Sequence, residues 1–147
     1  MSEYLFVYGT LRKSLYGRLH PLLCDLAGYI GMASMPGELY EIKNYPGAIA
    51  HRAEMAFHVH GEVYQLHDAK RLLQTLDEYE ECTEHFPNPH EYRRREKTIT
   101  LSDQRLLIAW VYLYNRSVAG LERIVHGDYH RYSLTRPAPS PSIPRTN

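Results

Sequence analysis

Only one stretch of this chain carries a helical repeat, and strand-like sequence flanks it on both sides. Leu72, Leu73, Leu76 and Tyr79 recur at helical spacing behind Asp68, a side chain suited to an N-cap. The spacing predicts a helix from Asp68 to about Tyr79. Elsewhere the period is two or the run is continuously apolar. Tyr4 to Tyr8 is aromatic and β-branched and ends at Gly9-Thr10, so it reads as a buried strand entering a loop. His58 to Leu66 reads as another strand, with Gly61 marking a bulge or a close backbone approach. Lys97 to Leu101 alternates, and Arg105 to Tyr114 is apolar almost throughout, as expected of a strand buried on both faces. Ser102-Asp103-Gln104 joins these two as a hairpin. Between Gly28 and Ala50, Gly and Pro at 31, 36, 37, 46 and 47 predict short strands joined by turns. Residues 117–133 have room for a short helical turn, which Gly120 and Gly127 disfavour. One helix among hairpin-connected strands predicts an α+β fold on an antiparallel sheet or barrel, not a parallel sheet.

Composition narrows the function classes. At 147 residues the prior is one domain, and 44% apolar with 23% charged residues is globular composition. From Arg136 onward there are four Pro and no acidic residue, so residues 1–135 are expected to form the domain and 136–147 a flexible tail. Seventeen Lys plus Arg balance seventeen Asp plus Glu, which argues against a dedicated nucleic-acid binder. The longest apolar run, Leu106 to Tyr114, is half of a membrane span. No basic and apolar leader precedes the first strand, so a cytoplasmic protein is expected. The two Cys, at 24 and 82, form no disulfide framework and no CxxC site.

The helix also selects a chemical group. At roughly 100° per residue, the four apolar residues span about 120° of its surface. Glu80 falls inside that arc if the helix persists one residue further, whereas Glu78 and Glu81 project away and Asp77 lies at the edge. If the helix ends first, Glu80 is solvated. An inward Glu80 would have a raised pKa, through burial, neighbouring carboxylates and the helix C-terminus. Such a carboxylate suits general acid–base work. The glycine after the first strand lets backbone approach a ligand, and successive amides there can cradle an anion. No GxxxxGK[ST] or GxGxxG is present. His58 with His60, and His126 with His130, share spacings that metal ligands use, but no HExxH accompanies them, and surface histidines are the favoured reading. Arg93-Arg94-Arg95 resembles a phosphate patch, although three arginines opening a strand are more often an exposed, salt-bridged face.

Taken together, these segments resemble the gamma-glutamylcyclotransferase-like superfamily, which includes the gamma-glutamylamine cyclotransferases. Tyr8-Gly9-Thr10-Leu11-Arg12 resembles its YGTLR signature, and Leu76-Asp77-Glu78-Tyr79-Glu80 its LDxxE motif. Tyr92 with Arg94 matches the Y-x-R that follows. Gly37-Glu38-Leu39-Tyr40, Gly61-Glu62-Val63-Tyr64 and Ala109-Trp110-Val111-Tyr112 are similar to family strands, in family order. The resemblance implies a small curled antiparallel β-barrel with flanking helices and a cavity formed by the first loop and Glu80. It implies Glu80 as the catalytic acid/base, and loop amides of Gly9, Thr10 and Leu11 for substrate binding. Tyr8 and Tyr112 are candidate pocket walls or packing residues. The implied reaction cyclises a γ-glutamyl amino acid or amine to 5-oxoproline, with no metal or cofactor. The implied partner is that small molecule, with no nucleic acid or membrane, and the oligomeric state is left open. The alternative is a non-catalytic small-molecule-binding or interaction module using the same cavity. Two positions depart from the family pattern: Tyr129 replaces Trp in Gly127-Asp128-Tyr129, and Glu81 replaces a Gly that often follows the Glu. Both are expected near the leaving group. Cys82 is closer to the gamma-glutamylamine branch.

Overall fold

The computed structural model describes residues 2–9, 11–12, 17, 20–23, 26–51 and 57–135. Seven strands and two helices fall within them: β1 (Tyr4–Val7), β2 (Ala27–Glu41), β3 (Pro46–Ala50), β4 (His58–Leu66), α1 (Ala69–Tyr79), β5 (Tyr92–Leu101), β6 (Leu106–Tyr114), β7 (Arg123–Ile124) and α2 (Tyr129–Thr135). The order β2-β4-β1-β6-β5 closes through β5 onto β2, giving a five-stranded barrel. Closure rests on Ala33 opposite Leu101 and Ser34 opposite Thr100. The barrel and flanking helices are those expected, with one difference. β1 pairs with β4 antiparallel but with β6 parallel, Leu5 opposite Trp110, so the barrel is mixed. The expected tail, 136–147, lies outside the described residues.

Residues 28–50 do not form a series of short strands. β2 runs unbroken for 15 residues through Gly31, Pro36 and Gly37, with one bulge between Tyr29 and Gly31. Pro36 is tolerated because it sits where β2 changes partners. Pairing with β4 ends at Pro36 opposite His58, and pairing with β3 begins at Gly37 opposite Ala50. Its missing N–H therefore interrupts no continuous ladder, and its carbonyl accepts from the His51 amide at 3.0 Å. Gly61 is a close approach, as expected: a Cβ there would lie 2.2 Å from the Val7 carbonyl oxygen.

Alternation along β1 divides the core in two. Phe6 and Tyr8 point into the barrel with Met35, Val59, Val63 and Val111. Leu5 and Val7 point outward to Leu72, Leu73 and Leu76 of α1. Each buried Leu contributes roughly 1.5–3 kcal/mol, so this stripe seats the helix. Tyr79 was expected in the stripe but is 38% exposed at the last helical position. β6 is not buried throughout either. Leu106 and Ile108 are 67% and 53% exposed, because α1 covers only the C-terminal half of the strand. The helical turn expected within 117–133 overlaps only the first part of α2, which runs from Tyr129 on to Thr135 and follows the two-residue β7.

Candidate functional site

The end of α1 determines where Glu80 points. Glu80 is the C-cap, and its amide donates to the Leu76 carbonyl at 2.8 Å. The Glu81 amide donates to Glu78 O at 3.0 Å and the Cys82 amide to Asp77 O at 2.9 Å, the paired bonds of a Schellman motif. The helix therefore persists just far enough to turn Glu80 inward, and its side chain is 0% exposed. The motif requires a left-handed residue at position 81, and Glu81 has φ 58°. A side chain in that region costs about 1–2 kcal/mol, of which a glycine's added unfolded-state freedom offsets about 0.4–1. Glu81→Gly is accordingly expected to raise the melting temperature by roughly 1–4 °C in a thermal scan.

A second carboxylate fixes the same turn. Asp77 accepts two bonds from Arg94 of β5, Nε to Oδ1 at 2.8 Å and Nη2 to Oδ2 at 3.0 Å. The Tyr112 hydroxyl of β6 donates to Oδ1 at 2.7 Å. Arg94 also lies over the Trp110 ring, 4.3 Å from its centroid. Burial alone would lower the Arg94 pKa, but the Asp77 carboxylate outweighs it and the guanidinium is held above its usual value. Three side chains from three elements thus clamp the turn that carries Glu80. The sequence offered only a partial signal for this: Asp77 and Arg94 both sit in recognisable motifs, but nothing local joins residues 17 apart.

Glu80 faces buried groups that stay neutral. Burial first, and then the charges of Glu80 and Glu91, push the Tyr8 hydroxyl well above the usual phenol range against the pull of the Ala48 amide. Tyr92 is raised well above that range by burial, then by Tyr8, Glu80 and Glu91. Both hydroxyls are held by the main chain. Tyr8 donates to Tyr112 O at 2.6 Å and accepts from Ala48 N at 3.2 Å, and Tyr92 donates to Pro46 O at 2.7 Å. Burial, then Asp77 and Glu80, pushes the Cys82 thiol up to about 12, so it carries no thiolate at neutral pH. Beside the Tyr92 ring, Tyr45 and Tyr114 enter the wall of a cavity of about 400 Å³ that also takes in Glu81 and Glu91.

The loop after β1 is tied to the opposite end of the chain. Gly9 is buried and its carbonyl accepts from the Arg12 amide at 2.9 Å. The Leu11 side chain packs in the α1-facing core, while Thr10 lies outside the described residues. Arg12 is 1% exposed and donates from Nη1 to Asp128 Oδ1 at 2.9 Å. Asp128 also accepts from the amides of His130 and Arg131 at 3.0 and 3.3 Å, capping α2. Gly127 has φ 71°, and a Cβ there would lie 1.8 Å from the His58 carbonyl oxygen. The Tyr129 side chain packs in the barrel core and its hydroxyl donates to Glu41 at 2.9 Å. The Gly-Asp-Tyr element therefore acts on the loop through Asp128.

Burial alone would raise the Asp128 carboxyl, but Arg12 and the two amides outweigh it and hold it below the usual range. The stability this contributes is present above the ordinary carboxylate pKa, about pH 4, and is lost as pH falls through the lower native value. In urea titrations, the gap between wild type and Asp128→Asn is expected to be widest near neutrality and to close below about pH 4.

The remaining candidates separate. Among the described residues, no group of three or more His, Cys, Asp or Glu could hold a metal ion. No helix among them is long and apolar enough to cross a membrane.

A family model described as gamma-glutamyl cyclotransferase, AIG2-like, matches residues 5–131. The chain belongs to this family. Within the gamma-glutamyl cyclotransferase, AIG2-like family, the chain is 29% identical over 130 residues to MJ1514 of Methanocaldococcus jannaschii, covering 88% of this chain and 98% of that protein. It is 32% identical over 126 residues to YtfP, a gamma-glutamylcyclotransferase family protein of Escherichia coli K12, covering 85% of this chain and 94% of YtfP. The solution structure of Escherichia coli YtfP matches with a TM-score of 0.56 at 31% identity, over 86% of this chain and 95% of that one. Bacillus subtilis YkqA is 27% identical over 142 residues, which is 96% of this chain. Its crystal structure gives a TM-score of 0.66 at 25% identity over 91% of this chain. The chain spans about half the length of YkqA, 46% by sequence and 42% by structure.

Proposed function

We propose that this chain cyclises γ-glutamyl amino acids or amines to 5-oxoproline, with Glu80 as acid and base in turn. The observation that carries the reading is the fully buried Glu80 at a helix end clamped by Asp77, Arg94 and Tyr112. A γ-glutamyl compound holds its nucleophile and its electrophile in one molecule. The α-nitrogen attacks the γ-carbonyl carbon, a five-membered lactam closes, and the C–N bond to the leaving amine breaks. Glu80 takes a proton at the α-nitrogen and returns it at the leaving nitrogen, so no water, metal or redox partner is consumed. The main-chain amides of Gly9, Thr10 and Leu11 hold the substrate carboxylate and fold the chain back on itself. Much of the acceleration then comes from holding that near-attack geometry. Tyr8 and Tyr112 pack beside Glu80 as neutral groups, since Tyr112 too is raised far above its ordinary pKa by burial and then by Asp77.

The test is a panel of γ-glutamyl amino acids and γ-glutamyl amines assayed for 5-oxoproline release. Turnover of at least one member is expected. No turnover by any member, combined with raised melting temperatures in their presence, would replace catalysis with binding in the same cavity.

A further inference from the structure

The three successive arginines of β5 have different fates. Arg94 is balanced by Asp77 and packed on Trp110. Arg93 and Arg95 are exposed, and neither has a carboxylate partner among the described residues. Both line a cavity of about 770 Å³ between the start of β5, the Asn88–His90 segment and the end of α1. Among the described residues Asp77 is the one carboxylate in its wall, and Arg94 already neutralises it. The wall therefore carries a surplus of two formal positive charges. Arg95 is oriented by a bond from Nη1 to Arg94 O at 2.9 Å, which leaves its other N–H groups available. His90 also lines the cavity, fixed by Asn115 Nδ2 donating to its carbonyl at 3.0 Å.

We propose that this groove binds a small phosphate-bearing anion, held by Arg93 and Arg95. Two guanidinium forks match the charge and the several acceptor oxygens of a phosphate dianion better than a single carboxylate would. The site goes beyond the cyclisation chemistry and does not depend on it. A neutral chain with one local surplus selects a compact anion over an extended polyanion, which needs a longer basic track.

Isothermal titration with inorganic phosphate and with pyrophosphate, at ionic strength held constant with chloride, tests this. Saturable one-to-one binding is expected for the full chain. Arg93→Gln with Arg95→Gln should weaken it by about 100-fold, roughly tenfold for each guanidinium. Lys70→Gln with Arg71→Gln removes the same charge from the exposed face of α1 and should change the affinity less than about threefold. If the first pair does not fold, the single variants are each expected to lose about tenfold. Equal losses in the two pairs, or no saturable binding to wild type, would overturn the proposal. So would an oligonucleotide whose affinity grows with its length beyond that of pyrophosphate, since the ligand would then be nucleic acid.

Discussion

Glu80→Gln is expected to lower the rate of 5-oxoproline release by about 10²–10⁴-fold, the usual contribution of a positioned acid–base group. The amide retains the shape and most of the packing of the carboxylate, so circular-dichroism melts should agree within a few degrees. It can neither accept the α-nitrogen proton nor return one to the leaving nitrogen. Tyr8, Tyr92 and Cys82 offer no substitute, because all three are held protonated. Initial rates on the best substrate of the panel provide the measurement. Wild-type-like turnover by Glu80→Gln would remove Glu80 from the mechanism.

Asp77→Ala should produce the largest combined loss of stability and rate outside Glu80 itself. It leaves Arg94 half-buried without its carboxylate and the buried Tyr112 hydroxyl without its acceptor. Breaking a buried pair costs about 3–5 kcal/mol, and the residual exposure of both partners reduces this to about 2–4. For a domain of this size that lowers the melting temperature by roughly 5–15 °C. The release of the helix end also blurs the position of Glu80. The activity loss should therefore fall on kcat, with KM changed little. Asp77→Asn, which keeps an acceptor for Tyr112, should recover part of both. A kcat matching wild type in a folded Asp77→Ala protein would show that the clamp serves stability alone.

The helix and the inward turn of Glu80 were legible because both follow from angular position along one segment. The clamp was not, since it joins a helix end to two strands through side chains that are remote in sequence. Tyr79 shows the limit of the angular argument. Tyr79 lies at the edge of the arc and is exposed, whereas Glu80, one position further on and inside the arc, is fully buried. In β2, Gly and Pro resemble punctuation in the sequence, yet the strand continues because Pro36 falls at a change of partner. The arginine run also divides by place in the fold: among the described residues, only the member facing α1 meets a carboxylate. The tie between Arg12 and Asp128 spans 116 positions and has no local signature.

The parallel contact between β1 and β6 also constrains how the chain reaches its native state. β1 is made before β6 and lacks that neighbour until Trp110 has been added. Its hydrophobic residues must wait through most of synthesis with only β4 available for pairing. Barrel closure is thus a non-local event, and its entropy cost must be met before the second edge of β1 is satisfied. Folding is expected on the millisecond-to-second scale typical of domains dominated by distant strand pairs. Chains arrested before residue 110 would leave that edge open, making β1 the segment through which incomplete molecules associate.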